Sequence, residues 1–538
     1  MRKPMAVDPV MTSYYSHAAK PVLSSRLLDD MGDASFFELH QRDGADSAVT
    51  KVGEKGKFAC FVQAERDGRR VMRLTSAVIS GPPNKDKGRG WGGATLRRLF
   101  DGEDWTGSNR VSFEVYPDLP GFRVVSLCVY LYNDSEVKLP NHVLREGLHF
   151  IVLKNQQWNF CSWEFPELRR DKVTAFGFEY RLQGAEPGAC GMVTYDFANL
   201  KLETVEADHT KGWEPKSGDI VFSHTGYNIG SRKTALARDL KTDSFTLYRV
   251  GDGHTAYTGP ITALSAYTGT YQVLDFSDFN EAGRYYIKAG DTVTRPFAIG
   301  DSIWRAAVEK VINSFFCLRC GYPVPGIHDV CHQDLLARHG ELSKVINGGW
   351  HDAGDLSQGI VNSAEAAYAM MSLHNTLEGK EPELAELLLE EARWGQDWVL
   401  KTRFADGFRA SWQTMDYWTD GVFGTVDDTA FDVSRNAYNN FICAASEALA
   451  AQVYAQEDAP FALFNLNAAE EDFQFAAEDA VSEETIDVYA QGALAAVELY
   501  NATRRQSYLD KAVEYAHVIM ACQQTELPDW DIPMRGFF

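Results

Sequence analysis

The stretch NGGWHDAGD, residues 347–355, sets two carboxylates, Asp352 and Asp355, three residues apart on a glycine-supported turn. Carboxylates at this spacing can face one small volume, hold a water molecule there and remove its proton. That is the base side of glycoside hydrolysis by inversion. Glycines suit a tight, non-helical loop whose backbone approaches a ligand. Trp350 offers an aromatic face for a sugar ring. The competing reading is a plain turn in which an aspartate caps the following helix, since Asp-Ala-Gly-Asp is common loop chemistry.

A second constellation overlaps the first. Cys320, Cys331, His332 and His351 supply two thiols and two imidazoles, a donor set suited to tetrahedral zinc. Ten residues lie between the two cysteines and eighteen between His332 and His351, so the spacing is not that of a zinc finger. Such ligands would clamp three segments together, and His351 would tie the metal to the residue before Asp352. Cys317 is a rival through the CxxC it forms with Cys320, and His328 and His339 are rivals to the histidines. The alternative is a set of buried thiols and satisfied histidines.

The segment SWQTMDYWTDGVFGTVDD, residues 411–428, is aromatic and acidic. Trp412, Tyr417 and Trp418 are candidates to stack on sugars, with core packing as the blander account. Asp427 and Asp428 read as a calcium pair or a solvated, loop-capping pair. Trp158 and Trp163 could line a carbohydrate groove or fill a sandwich core. No Ser-His-Asp spacing stands out, and neither a P-loop nor a Rossmann glycine fingerprint is present.

These residues need elements to hold them, and the chain changes character twice. Residues 1–22 read as a disordered arm. Residues 23–205 are strand-like, with segments such as RVVSLCVYLYN and VTAFGFEYRL rich in β-branched and aromatic residues. Asp67-Gly68 reads as a hairpin turn. The pattern predicts an antiparallel, jelly-roll sandwich of a carbohydrate-binding kind. Residues 206–217 are a polar linker. Residues 218–300 carry strands at the spacing of an immunoglobulin-like sandwich.

From residue 301 to 538 the period becomes that of a helix. Apolar stripes run through Ile360, Ala364, Ala367 and Met371, then Ala437, Phe441, Ala444 and Ala448. They recur at Ile486, Ala490, Ala493 and Val497, and at Tyr508, Ala512, Tyr515 and Ile519. Ser507 with Asp510 reads as a capping box. Segments 303–320 and 384–401 add two more helices. The region is predicted to be all-α, with six or seven helices.

The 538 residues carry a formal net charge of -23, which repels nucleic-acid phosphates and anionic membranes but leaves a neutral sugar polymer unaffected. No apolar run is long enough for a membrane span. The basic N-terminus lacks an apolar h-region, so it is no ordinary secretory signal. The protein is expected inside the cell unless a signal lies outside this sequence. Nine scattered cysteines do not suggest a disulfide scaffold.

GGWHDAGD resembles the signature around the catalytic aspartates of glycoside hydrolase family 9. FFCLRCGYPVPGIHDVCHQD resembles the metal-binding segment of its zinc-carrying members, and EARWGQDWVLK resembles a helix of its catalytic domain. SHTGYN through DFSDFNEAGRYYI is similar to the immunoglobulin-like module that often precedes that domain. The resemblance spans roughly residues 217–538. It implies an (α/α)6 toroid and inverting hydrolysis of β-linked glucans, with Asp355 as general base and Asp352 positioning the water. Cys320, Cys331, His332 and His351 would hold a structural zinc, and no organic cofactor is implied. The family is often secreted or periplasmic.

Two departures qualify what the resemblance implies. LSQGIVNSAEA follows Asp355 where cellulases of the family carry an aromatic-containing segment. An exo-acting glucosidase or glucosaminidase, or a non-catalytic carbohydrate-binding protein, therefore stands beside an endoglucanase. The toroid also needs about twice the helices expected here, and no glutamate matches the family's late general acid. The expectation is an incomplete catalytic domain, inactive or nearly so by itself.

Overall fold

Alternating apolar and polar residues build two antiparallel sheets between residues 22 and 205. One runs Asn159–Glu164, Arg110–Asp118, Met192–Val205, Arg69–Ala77 and Ala59–Arg66, with Val22–Asp29 paired beside Met192–Val205. The other runs Asp46–Lys51, Phe37–Asp43, Gly93–Glu103, Val173–Ala185, Phe122–Asn133 and Gly147–Val152. Their inner faces share one core in which Phe113 meets Phe178 edge-on at 5.0 Å. Trp163 belongs to that core, whereas the half-buried Trp158 donates to Asp67 at 3.0 Å. Asp67-Gly68 closes the expected hairpin, with Arg66 opposite Arg69.

The computed structural model describes residues 2–5, 20–43, 46–54, 56, 58–77, 93–135, 147–166, 168–185, 189–206, 215–266, 269–353, 356–413, 419, 421–425, 428, 430–483, 485–526 and 535–538. Residues 2–5, expected within a disordered arm, instead contact the helical region: the Met5 N–H donates to Asn313 at 2.7 Å. The second β unit spans Ile220 to Gly300. Its long strand Thr255–Ala266 pairs with Ser244–Arg249 through its first half and with Gly269–Asp275 through its second, joining the two layers.

Seven helices follow among the described residues: α1 (Arg305–Cys317), α2 (Ile360–Leu377), α3 (Pro382–Lys401), α4 (Ala437–Val453), α5 (Ala459–Asp479), α6 (Ile486–Thr503) and α7 (Gln506–Ala521). They form three helical hairpins, α2–α3, α4–α5 and α6–α7, and the first helices of successive hairpins pack side by side, α2 on α4 and α4 on α6. Asn436, Asp458 and Thr485 cap α4, α5 and α6 by accepting backbone N–H groups. Among the described residues no helix is long and apolar enough to cross a membrane.

Three local expectations change. The region is not all-α: a five-stranded sheet runs Leu342–Val345, Leu336–His339, Ala430–Ser434, Arg409–Gln413 and Gln358–Gly359. These strands are too short for periodicity to register. α7 begins at Gln506 without a side-chain cap, so Ser507 lies inside the first turn rather than at a capping box. α6 buries Val488, Gly492, Ala495 and Leu499, while Ala490 and Val497 are exposed. Its alanine-rich sequence offers two apolar stripes, and the one containing Gly492 lets the rings of Tyr515 and Phe441 come close.

A buried ionic network ties the small sheet to the second hairpin. Arg409 donates to Glu447 at 2.6 Å and to Asp472, and Arg403 donates to Asp472 at 2.9 Å. Burial, opposed by Arg409 and reinforced by Asp472, pushes Glu447 up to about 8. A carboxyl raised in the fold stabilises it while protonated, and that contribution fades as pH climbs from about 4.5 through about 8. Urea unfolding of the natural protein is expected to show stability falling across this window, with a flatter profile in Glu447→Gln. Identical slopes in the two proteins would contradict this assignment.

Candidate active site and metal centre

α1 ends at Cys317, and the chain then turns so that Arg319 and Trp350 form an isolated antiparallel bridge. Within it the Cys320 N–H donates to the Gly349 carbonyl at 2.9 Å, and the His351 N–H to the Leu318 carbonyl at 2.9 Å. Gly349 is obligatory here. Its φ is +66°, and a Cβ would lie 2.8 Å from the Trp398 ring. This register brings Cys320 and His351 to the same point, and the loop from Val324 to Leu335 delivers Cys331 and His332 to it.

The ligand atoms of Cys320, Cys331, His332 and His351 all lie within 4.8 Å of one another, and all four residues are buried. Cys331 Sγ is 3.5 Å from His351 Nε2. On the other side of the ring, His351 Nδ1 lies 3.1 Å from the Leu356 carbonyl, which orients Nε2 toward the cluster. Zinc bonds of about 2.3 Å to sulfur and 2.0–2.1 Å to nitrogen place tetrahedral ligand atoms about 3.3–3.8 Å apart. The four donors therefore fit a closed, four-coordinate ion after a small contraction. Hydrogen bonds from Cys320 and from the neighbouring histidines hold the Cys331 thiol far below its usual range, while burial and Cys331 push Cys320 up.

The rivals lie outside the four-donor cluster, with His328 at its edge, hydrogen-bonded to Cys331. Cys317 is half-buried and outside the cluster, and the ring nitrogens of His328 face the Asp329 and Cys317 carbonyls at 2.7 and 3.2 Å. His339 pairs with Asp406 at 2.6 Å.

Asp352 follows His351 directly and is held at three points. Its N–H donates to the Ser357 carbonyl at 2.9 Å, the Ser357 hydroxyl donates to Oδ1, and the Asn362 amide donates to Oδ2 at 2.6 Å. The cap of α2 is Gly359, with no side-chain cap, so Asp352 does not fill that role. Asp355, Tyr417, Trp418 and Asp427 lie outside the described residues. Asp428 accepts the Gly424 N–H at 2.9 Å, a loop-capping bond.

Trp350 is not a sugar platform. It is 3% exposed, donates Nε1 to Glu391 at 2.8 Å and packs edge-on to Phe315 at 5.0 Å. Its ring lies so close to α3 that a Cβ on Gly395 would fall 2.0 Å from it. Trp412 is 42% exposed, and its ring lies over Gly359. A Cβ on Gly359 would meet both that ring and the Asn362 amide that holds Asp352.

Sequence reasoning missed the residues that position these groups. Ser357 and Asn362 hold Asp352, and the buried Asp334 accepts from Thr419 and from the Gly421 N–H at 3.1 Å, fastening part of the aromatic segment to the turn after His332. Glu391 had a readable signal. It falls at the 4, 3, 4, 3 steps of the α3 stripe Leu384, Leu388, Glu391, Gly395 and Trp398, an acid on an apolar face.

Residues 304–537 match the family model described as Glycosyl hydrolase family 9, and residues 216–294 match that of the Cellulase N-terminal ig-like domain. Endoglucanase D of Acetivibrio thermocellus is 26% identical over 274 residues, covering 46% of this chain and 43% of that protein. The Cellodextrinase of Butyrivibrio fibrisolvens is 27% identical over 273 residues, covering 45% and 48%. A xyloglucan-specific endo-beta-1,4-glucanase of Bacteroides ovatus is 26% identical over 211 residues, covering 34% and 36%. The chain thus spans less than half the length of these curated relatives. A metagenome-derived glycoside hydrolase family 9 endoglucanase of known structure is 23% identical, with a TM-score of 0.45, covering 57% of this chain and 66% of that one.

Proposed function

We propose that this chain, whose residues 304–537 belong to glycosyl hydrolase family 9 and whose residues 216–294 form a cellulase N-terminal ig-like domain, hydrolyses β-1,4-linked glucan or its oligosaccharides by inversion. The observation that carries this reading is the three-point hold on Asp352, on a turn anchored one residue away by a four-donor centre. A carboxylate held at both oxygens is a fixed acceptor for a water proton. In this reading Asp352 orients the water and Asp355 takes its proton as the water attacks the anomeric carbon from the face opposite the leaving oxygen. Trp412 and Trp418 stack on the sugar rings. The leaving oxygen needs an acid, a role assigned here to no residue of the chain. Unactivated glucan is therefore expected to turn over slowly, if at all, with this chain alone.

The substrate assignment has a second form. An exo-acting glucosidase or glucosaminidase on short oligosaccharides is the alternative; the cellodextrinase among the relatives favours short oligosaccharides, whereas the endoglucanases favour internal cleavage. The chain's first β-sandwich is proposed as a carbohydrate-binding unit and the helical hairpins as part of an (α/α)6 toroid. Cys320, Cys331, His332 and His351 hold zinc in this account. With all four positions filled by protein the ion is structural, fixing His351 and hence the turn that carries Asp352.

An aryl β-cellobioside with a dinitrophenolate leaving group departs without a proton, so it isolates the base half of the reaction. Asp355→Asn is expected to lower its hydrolysis by about 10²–10⁴-fold while leaving affinity for cello-oligosaccharides unchanged. Equal rates in the two proteins would reduce the molecule to a glycan binder. Metal analysis is expected to find one zinc per chain, lost on Cys331→Ala together with part of the thermal stability. A metal-free natural protein of full stability would remove the ion from the account.

A further inference from the structure

The Glu391 carboxylate has no solvent exposure and accepts four N–H groups. Oε1 takes Arg319 Nε at 3.0 Å and Trp350 Nε1 at 2.8 Å, and Oε2 takes Arg319 Nη2 at 2.9 Å. The fourth donor comes from the far end of the chain: Arg2 Nη1 reaches Oε2 at 3.0 Å, and its side chain is only 19% exposed. The Arg2 guanidinium also lies over the Phe316 ring, 4.7 Å from its centroid, and three residues later the Met5 N–H donates to Asn313 Oδ1 at 2.7 Å. The start of the chain thus has two anchors on α1, Asn313 and Phe316, and one on α3, Glu391. Two β units separate it in sequence from the helices it touches.

We propose that Arg2 is a positioning residue for the candidate site. The N-terminal segment docks on α1 and α3, and its guanidinium completes the shell of Glu391. That carboxylate in turn fixes Arg319 and Trp350, which are the two halves of the bridge carrying Cys320 and His351. Arg319 alone neutralises Glu391, but it also lies between the Tyr322 and Trp394 rings, at 5.3 and 4.9 Å, and next to Glu390 at 3.5 Å. Arg2 is the second cation against these two acids. With Arg2 absent, Oε2 keeps one donor, and the bridge opens more often. The geometric part of this inference stands on the contacts alone; its effect on catalysis rests on the function proposed above.

Hydrogen exchange read by mass spectrometry tests it in the full chain. The amides of Cys320 and His351 lie in peptides covering 316–323 and 347–358. In Arg2→Ala both peptides are expected to exchange about tenfold faster, the scale of one hydrogen bond to a charged group, while helices α6 and α7 exchange as before. Arg2→Lys, which keeps the charge and a donor, is expected to recover most of the protection. In the aryl β-cellobioside assay Arg2→Ala is expected to lower kcat and leave KM unchanged. Wild-type exchange in both peptides of Arg2→Ala, or acceleration spread equally through residues 486–521, overturns the proposal. Because exchange needs no turnover, its outcome is independent of whether the chain proves to be a glycosidase.

Discussion

A carboxylate buried away from water costs several kcal/mol unless its lone pairs are filled. Glu391 meets that condition with four donors from three separate stretches of chain. The candidate site depends on that constraint. Arg319 and Trp350 must stand opposite each other to share the carboxylate, so Cys320 and His351 must stand beside each other as well. Trp350 can reach Glu391 only because Gly395 leaves room for its ring on α3. One residue beyond His351, the register of Asp352 follows.

A second charged framework holds the small sheet. Arg409, Glu447, Asp472 and Arg403 bind the strand Arg409–Gln413 to α4 and α5. That strand presents Trp412 beside Gly359, at the start of the helix whose Asn362 holds Asp352. Trp412 and Asp352 are thus both tied to the start of α2, Trp412 through Gly359 and Asp352 through Asn362. The four-donor centre sits on the Glu391 side, where Cys320 and His351 follow Arg319 and Trp350.

Much of this was legible before any coordinates. The order of β-sandwich, second β unit and helices follows from the switch of hydrophobic period from two to 3.6. The donor set Cys320, Cys331, His332 and His351 was readable as a group because its residue types share one chemistry. The choice of Cys320 over Cys317 agrees with the cluster's geometry. Trp350 was misread because an aromatic in a polar loop looks like a platform. Only the tertiary position of Glu391 and Gly395 shows that its indole N–H faces inward. The five-stranded sheet escaped notice because its strands have two to five residues, too few for alternation to register. Arg2 could not have been assigned from sequence, since nothing local links residue 2 to residue 391.

The central claim is that the turn at residues 347–355 activates a water molecule and does not attack the sugar itself. Proton NMR during the first turnovers of an aryl β-cellobioside reads this directly, from the anomer released before mutarotation. The account predicts the α-anomer. Release of the β-anomer would mean that a carboxylate acts as a nucleophile, and no release at all would mean that the turn performs no hydrolysis; either result would contradict the account.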